Sequence, residues 1–155
     1  MSSMTDYQVI VVGTDGSDLA ESTVARAAWL AKHDDADLVI VCAYSSLSRR
    51  DEAKNVATTG GDARVDEVLG RSAASDAISQ AVAVAADQGA TVAAALLVEG
   101  DAASALLKIA KDRKAELLVI GARHDRSIAE RLLGTVATEL TTDATCDVLI
   151  VRPIK

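Results

Sequence analysis

Two short stretches of this chain carry residue types suited to holding a polar ligand. The first is Gly13-Thr14-Asp15-Gly16-Ser17, which follows an apolar run. Its carboxylate can accept hydrogen bonds from a sugar's hydroxyls, and its glycines let backbone approach a ligand closely. The same residues have a plainer use, because Asp15 and Ser17 are common helix caps. The second stretch, Gly121-Ala122-Arg123-His124, is followed by nine residues and then Gly134-Thr135. A glycine and a hydroxyl residue opening a helix gather free N–H groups at the positive end of its dipole, which favours an anion, phosphate above all. Either pattern alone is ordinary turn chemistry. Their common position, each after an apolar run, gives them weight together.

Several other chemistries have nothing to draw on. No Gly-x4-Gly-Lys-Ser/Thr phosphate loop is present, no Gly-x-Gly-x-x-Gly follows an apolar run, and neither Gly-x-Ser-x-Gly nor His-Glu-x-x-His occurs. The two histidines are His33, beside Asp34 and Asp35 at the end of a helical pattern and read as surface, and His124. The two cysteines, Cys42 and Cys146, sit inside apolar strand-like segments without Cys-x-x-Cys spacing, which suits small buried hydrophobes rather than a metal site or a disulfide framework. No catalytic residue and no metal site are expected.

The elements that position these stretches follow from two alternating periodicities. Short apolar, β-branched runs mark strands at 8–13, 37–44, 116–121 and 147–152, with a weaker one at 91–98. Between them, Ala20, Val24, Ala27, Ala28 and Ala31 mark a helix face, with Asp18 and Glu21 resembling a capping box. Ala74, Ile78, Ala81, Val82 and Ala85 mark a second helix ending near Gly89. Ala103, Leu106, Leu107 and Ala110 mark a third, starting at Asp101. A short fourth covers 135–143 with Val136 and Leu140 inward. Residues 45–62, with Gly60-Gly61, have no period and are read as a mobile loop.

Strands alternating with helices imply right-handed crossovers and a parallel sheet covered on both faces. The 155 residues suffice for one such domain, a single doubly wound α/β unit of five strands. Half the residues are hydrophobic, yet Phe is absent and aromatics are 2%, so the core must be built from small and β-branched side chains. With 16 Lys and Arg against 23 Asp and Glu, the net charge of −7 disfavours binding to nucleic acid. Nothing approaches the roughly 18–20 apolar residues of a membrane span, and residues 1–7 do not read as a secretory signal. A cytoplasmic protein is the expectation.

In such folds ligands bind outside the carboxyl ends of the strands, and both stretches fall there. At this point the chain resembles the universal stress protein family, specifically its nucleotide-binding branch. The resemblance spans nearly the whole sequence and rests on VVGTDGS (11–17), DVLIVRP (147–153) and above all GARHDRSIAERLLGTV (121–136). It implies a sheet of order 3-2-1-4-5 and an adenine nucleotide, ATP or another, at the switch point between strands one and four. It further implies that Asp15 holds the ribose hydroxyls, with Gly13 and Thr14 beside it, and that Ala43 offers its backbone to adenine. Gly121, Gly134 and Thr135 would cradle the phosphates. A homodimer through the edge Val148 to Arg152 is also implied.

His124 departs from the family's pattern, which has its second glycine there. A ring at 124 either obstructs the β- and γ-phosphates or donates an N–H to a phosphate. ATP, AMP and cyclic AMP therefore all stay open as ligands, as does Mg2+ accompanying the nucleotide, with Asp101 and Asp125 nearby. The expected activity is that of a sensor or buffer, at most a very slow ATPase, since no positioned base and metal-held γ-phosphate are in evidence. The alternative is a ligand-free dimeric interaction module.

Overall fold

A computed structural model of the chain describes residues 6–45, 68–122 and 135–152. The long strands are β1 (Val9–Gly13), β2 (Asp37–Ser45), β3 (Thr91–Glu99), β4 (Leu117–Gly121) and β5 (Asp147–Val151). The helices are α1 (Asp18–Asp34), α2 (Arg71–Asp87), α3 (Ala102–Asp112) and α4 (Thr135–Asp143). Every strand pairing is parallel, and the long strands run in the order β3-β2-β1-β4-β5. The expected doubly wound α/β fold is therefore present.

The two faces of the sheet are divided by strand alternation. Ile10, Val12, Leu38, Ile40, Leu117 and Val119 pack beneath α1 and α2, where Ala27, Ala28, Ala31 and Ala85 are fully buried. Val11, Val39, Val41, Leu118 and Ile120 face α3 and α4, meeting Ala105, Leu106, Ala110, Ala137 and Leu140. Alanine on the helices and β-branched residues on the strands bring backbone layers close, which explains a core that needs no phenylalanine.

Some local expectations need correction. The cap of α1 is Ser17, whose Oγ accepts the Ala20 N–H at 3.2 Å, rather than an Asp18–Glu21 box. Glycine 16 in the left-handed region turns the chain just before it, so the helix starts as soon as a side-chain acceptor is in place. The "weak" third strand is nine residues long; it reads weakly because it is an edge, with alternating exposed and half-buried residues. Cys146 precedes β5 rather than lying in it, and Ser45 ends β2 rather than beginning a loop. Residues 46–62 of the expected loop lie outside the described residues.

A further short pairing was not expected. Tyr44 and Ser45 pair in parallel with Val68 and Leu69. The Val41 carbonyl accepts the Thr14 N–H at 2.9 Å and the Ser45 carbonyl accepts the Gly70 N–H at 2.9 Å. Backbone groups of alternate strand residues point to the same side, so Val68–Leu69 lies on the β1 side of β2, beyond the end of β1.

The amino end of the sheet is held by carboxylates. The Tyr7 N–H donates to Asp34 Oδ2 at 3.0 Å, its hydroxyl donates to Asp147 Oδ2 at 2.7 Å, and the Val9 N–H donates to Glu116 Oε1 at 3.1 Å. The bond to Asp147, aided by desolvation and neighbouring negative charge, pushes the Tyr7 phenol up to about 12. A raised phenol pKa means the fold favours the neutral ring. Its contribution is complete below the ordinary value near 10 and is lost as pH rises through about 12. The melting temperature of the wild type should thus fall more steeply than that of Tyr7→Phe between pH 10 and 12. Parallel slopes for the two proteins would show that the phenol does not contribute.

Candidate functional site

β1 lies between β2 and β4, and its register with β4 matches Val12 to Val119. Continuing that register sets Gly13 beside Ile120 and Thr14 beside Gly121. The carboxyl ends of the two strands that carry the candidate stretches are thus neighbours. From β1 the chain turns onto one face through α1, whereas α4, which follows β4 in the fold, packs on the other face. This divergence opens a crevice at the strand ends, the place where doubly wound domains bind ligands.

The first stretch forms a tight turn. Gly16 has φ +80 and its N–H donates to Thr14 Oγ1 at 3.3 Å; the Ser17 N–H donates to Asp15 Oδ1 at 2.9 Å. A side chain at 16 would meet the Ala77 Cβ at 3.1 Å, so glycine is required both by backbone conformation and by the closeness of α2. Both plainer readings are realised in part: Ser17 caps α1, and Asp15 folds the turn that leads to it. Yet Asp15 is exposed and spends one oxygen on that bond, leaving acceptor capacity for a ligand.

Cys42 lies within reach of that carboxylate's charge. Burial first, and then the negative charge of Asp15, push its thiol up to about 11. Asp15 is therefore close to the carboxyl end of β2, and the Cys42 thiol is kept protonated and unreactive at neutral pH.

Ala43 occupies a distinctive backbone position. Its methyl is buried against the α3 and α4 face. By the alternation that orients Val41 and Ser45, its N–H and C=O point into the lane of β1. There the β1 pairing stops at Val41 and the short pairing, closed by Val68 on the Ala43 carbonyl, starts at Tyr44. Among the described residues the Ala43 N–H is thereby the main-chain group presented at a notch between Thr14 and Val68.

The two glycines at the strand ends face opposite helices. A Cβ at Gly13 would lie 3.1 Å from Leu106 Cδ1 of α3, and one at Gly121 would lie 2.7 Å from Thr23 Oγ1 and 3.0 Å from Leu19 Cγ of α1. Thr23 is fully buried and its hydroxyl donates to the Leu19 carbonyl at 2.8 Å. Sequence reading missed Leu19, Thr23 and Leu106 as the residues that require these glycines. A faint signal existed in Thr23, a polar residue set among Ala20, Val24 and Ala27 on the apolar face of α1.

Thr135 is the first residue of α4. His124 and Gly134, with Arg123, Asp125, Arg126 and Arg131, lie outside the described residues. Asp101 is the cap of α3: its carboxylate accepts the Ser104 N–H at 3.0 Å, and that bonding lowers its pKa. His33 is a surface residue, stacked on the exposed Trp29 with ring centroids 5.3 Å apart and 3.3 Å from Asp34 Oδ1. Among the described residues there is no group of three or more His, Cys, Asp or Glu side chains placed to hold a metal. No described helix is long and apolar enough to cross a membrane.

Comparison with known proteins agrees with this architecture. The universal stress protein family model matches residues 6–152. Universal stress protein Rv1636 of Mycobacterium tuberculosis is 36% identical over 152 residues, spanning 96% of this chain and 99% of its own. The crystal structure of a universal stress protein in complex with cAMP has a TM-score of 0.71 at 32% identity, covering 96% of this chain and 98% of that one. Universal stress protein UspA from Lactobacillus plantarum, at 19% identity and the same TM-score, covers 96% of this chain and 100% of its own and shares the fold. With the family match reaching from the residues before β1 to the end of β5, and relatives above 30% identity along the full length, this chain belongs to the universal stress protein family.

Proposed function

We propose that the protein binds an adenine nucleotide at the carboxyl ends of β1 and β4 and acts as a sensor or buffer of it. One observation carries this reading. Three neighbouring strand ends carry the Asp15 carboxylate, the open N–H of Ala43 and the Gly121 backbone. A carboxylate for ribose hydroxyls, an amide donor for a base edge and a glycine backbone at the end of β4 form a fitting set for such a ligand. The 32%-identical relative in complex with cAMP supports the same class of ligand.

In this reading Gly13 and Thr14 line the ribose pocket beside Asp15, and Gly121, His124, Gly134 and Thr135 take the phosphates. Mg2+ would accompany a triphosphate, and Asp101, whose pKa is lowered by the bonds it makes as a cap, stays ionised at that end of the sheet. Turnover of ATP is at most very slow in this reading, because Asp15 serves the ribose hydroxyls and not a water at the γ-phosphate. The protein pairs as a homodimer through Val148 to Arg152. That edge carries half-buried apolar residues on both faces and an outer backbone without a described partner. Two free thiols, Cys42 and Cys146, accord with a cytoplasmic setting.

Calorimetric titration of the nucleotide-stripped protein with ATP, AMP and cyclic AMP tests the proposal. Micromolar binding of at least one is expected, and the rank order will show how His124 treats the phosphates. No heat from any of the three, in a folded dimer, would replace it with the ligand-free interaction module.

A further inference from the structure

We propose that Arg71 is a base-recognition residue of this protein, its guanidinium forming the wall against which the nucleobase lies; this rests on the nucleotide reading above. The placement follows from the two pairings of β2. Val68–Leu69 continues the lane of β1 beyond its end, so the notch at Ala43 is bounded by Thr14 on one side and Val68 on the other. Gly70 then leads directly into α2, putting Arg71 at the rim of the notch, while Ala77 of the same helix leans on Gly16. Arg71 thus lies beyond Asp15 along the lane of β1, and Gly121 lies beside that lane at the end of β4. A nucleotide whose ribose meets Asp15, whose phosphate meets Gly121 and whose base meets the Ala43 N–H then has its base beside Arg71.

The side chain is held for that task. Arg71 Nη1 donates to the Tyr44 hydroxyl at 2.8 Å, and the guanidinium carbon lies 5.7 Å from the Tyr44 ring centroid. Tyr44 is itself 7% exposed and follows Ala43 in β2. The arginine is thus fixed by a neutral partner, and among the described residues it makes no ion pair. The guanidinium is charged and planar, its one described hydrogen bond uses Nη1, and such a plane stacks on an aromatic base.

The test is calorimetry on the full chain with cyclic AMP, adenosine and ribose 5-phosphate. Arg71→Ala should weaken cyclic AMP and adenosine alike by about tenfold and leave ribose 5-phosphate unchanged. Arg71→Lys should behave almost as Arg71→Ala, because an ammonium has no planar face to offer. Tyr44→Phe should give a smaller loss, about threefold, by freeing the arginine. Equal adenosine affinity in wild type and Arg71→Ala overturns the assignment while leaving the nucleotide reading intact. A loss confined to cyclic AMP and ribose 5-phosphate also overturns it, since Arg71 would then serve the phosphate. A wild type that binds none of the three overturns both readings together.

Discussion

Asp15→Ala is expected to weaken ATP and AMP binding by about a hundredfold or more, and cyclic AMP, which has one free ribose hydroxyl, by about tenfold or more, while the protein stays folded. Two ribose hydroxyls donating to one carboxylate make charge-assisted bonds, each worth about 1.5–3 kcal/mol, and the substitution removes both. The cost to the fold is small. The carboxylate is exposed and its one described bond, from the Ser17 N–H, can pass to water, while Ser17 still caps α1. The variant also separates two contributions at Cys42. Its thiol should lose the part of its upward shift that comes from Asp15 and keep the larger part, which comes from burial. Titration calorimetry paired with a thermal melt checks the outcome. Unchanged affinity would reduce Asp15 to a turn residue and remove the ribose contact from the proposed site.

Gly121→Ala should destabilise the protein by about 1–3 kcal/mol, the usual cost of forcing a methyl into a filled core. For a chain of this length that lowers the melting temperature by roughly 2–12 °C. The added Cβ would sit 2.7 Å from the Thr23 hydroxyl, and Thr23 is fully buried and bonded to the Leu19 carbonyl. Turning the Thr23 hydroxyl away from the methyl would cost it the bond to the Leu19 carbonyl in a buried setting. The double variant Thr23→Ala with Gly121→Ala should recover part of the loss, because the oxygen that obstructs the methyl is gone. Non-additivity in that cycle is the signature of direct contact. Strict additivity would mean that Gly121 is needed for another reason, such as backbone approach to a ligand alone. The glycine at the head of the phosphate stretch therefore has two requirements at once, packing against α1 and access for the proposed ligand.

Local pattern specifies the layered architecture and the ends of the sheet where a site belongs. Each strand is a short apolar run and each helix an alanine-rich stripe, so local periodicity carries the element types without any tertiary information. The strand order did not come from periodicity; it came with the family resemblance, through the 121–136 stretch, and the parallel registers of β1 with β2 and β4 agree with it. The remaining features depend on contacts between residues far apart in the chain. The cap at Ser17 was set by where Gly16 must turn against Ala77, some sixty residues away. The nine-residue β3 read weakly because half-exposure at an edge removes the selection for a continuous apolar run. The partners of the glycines, Thr23, Leu19 and Leu106, are set by how closely α1 and α3 approach the sheet, a distance that no local pattern encodes. The position of Arg71 over Tyr44 has the same origin. It arises because Val68–Leu69 adds a second, short pairing beyond the end of β1, and a two-residue strand has too little sequence to announce itself.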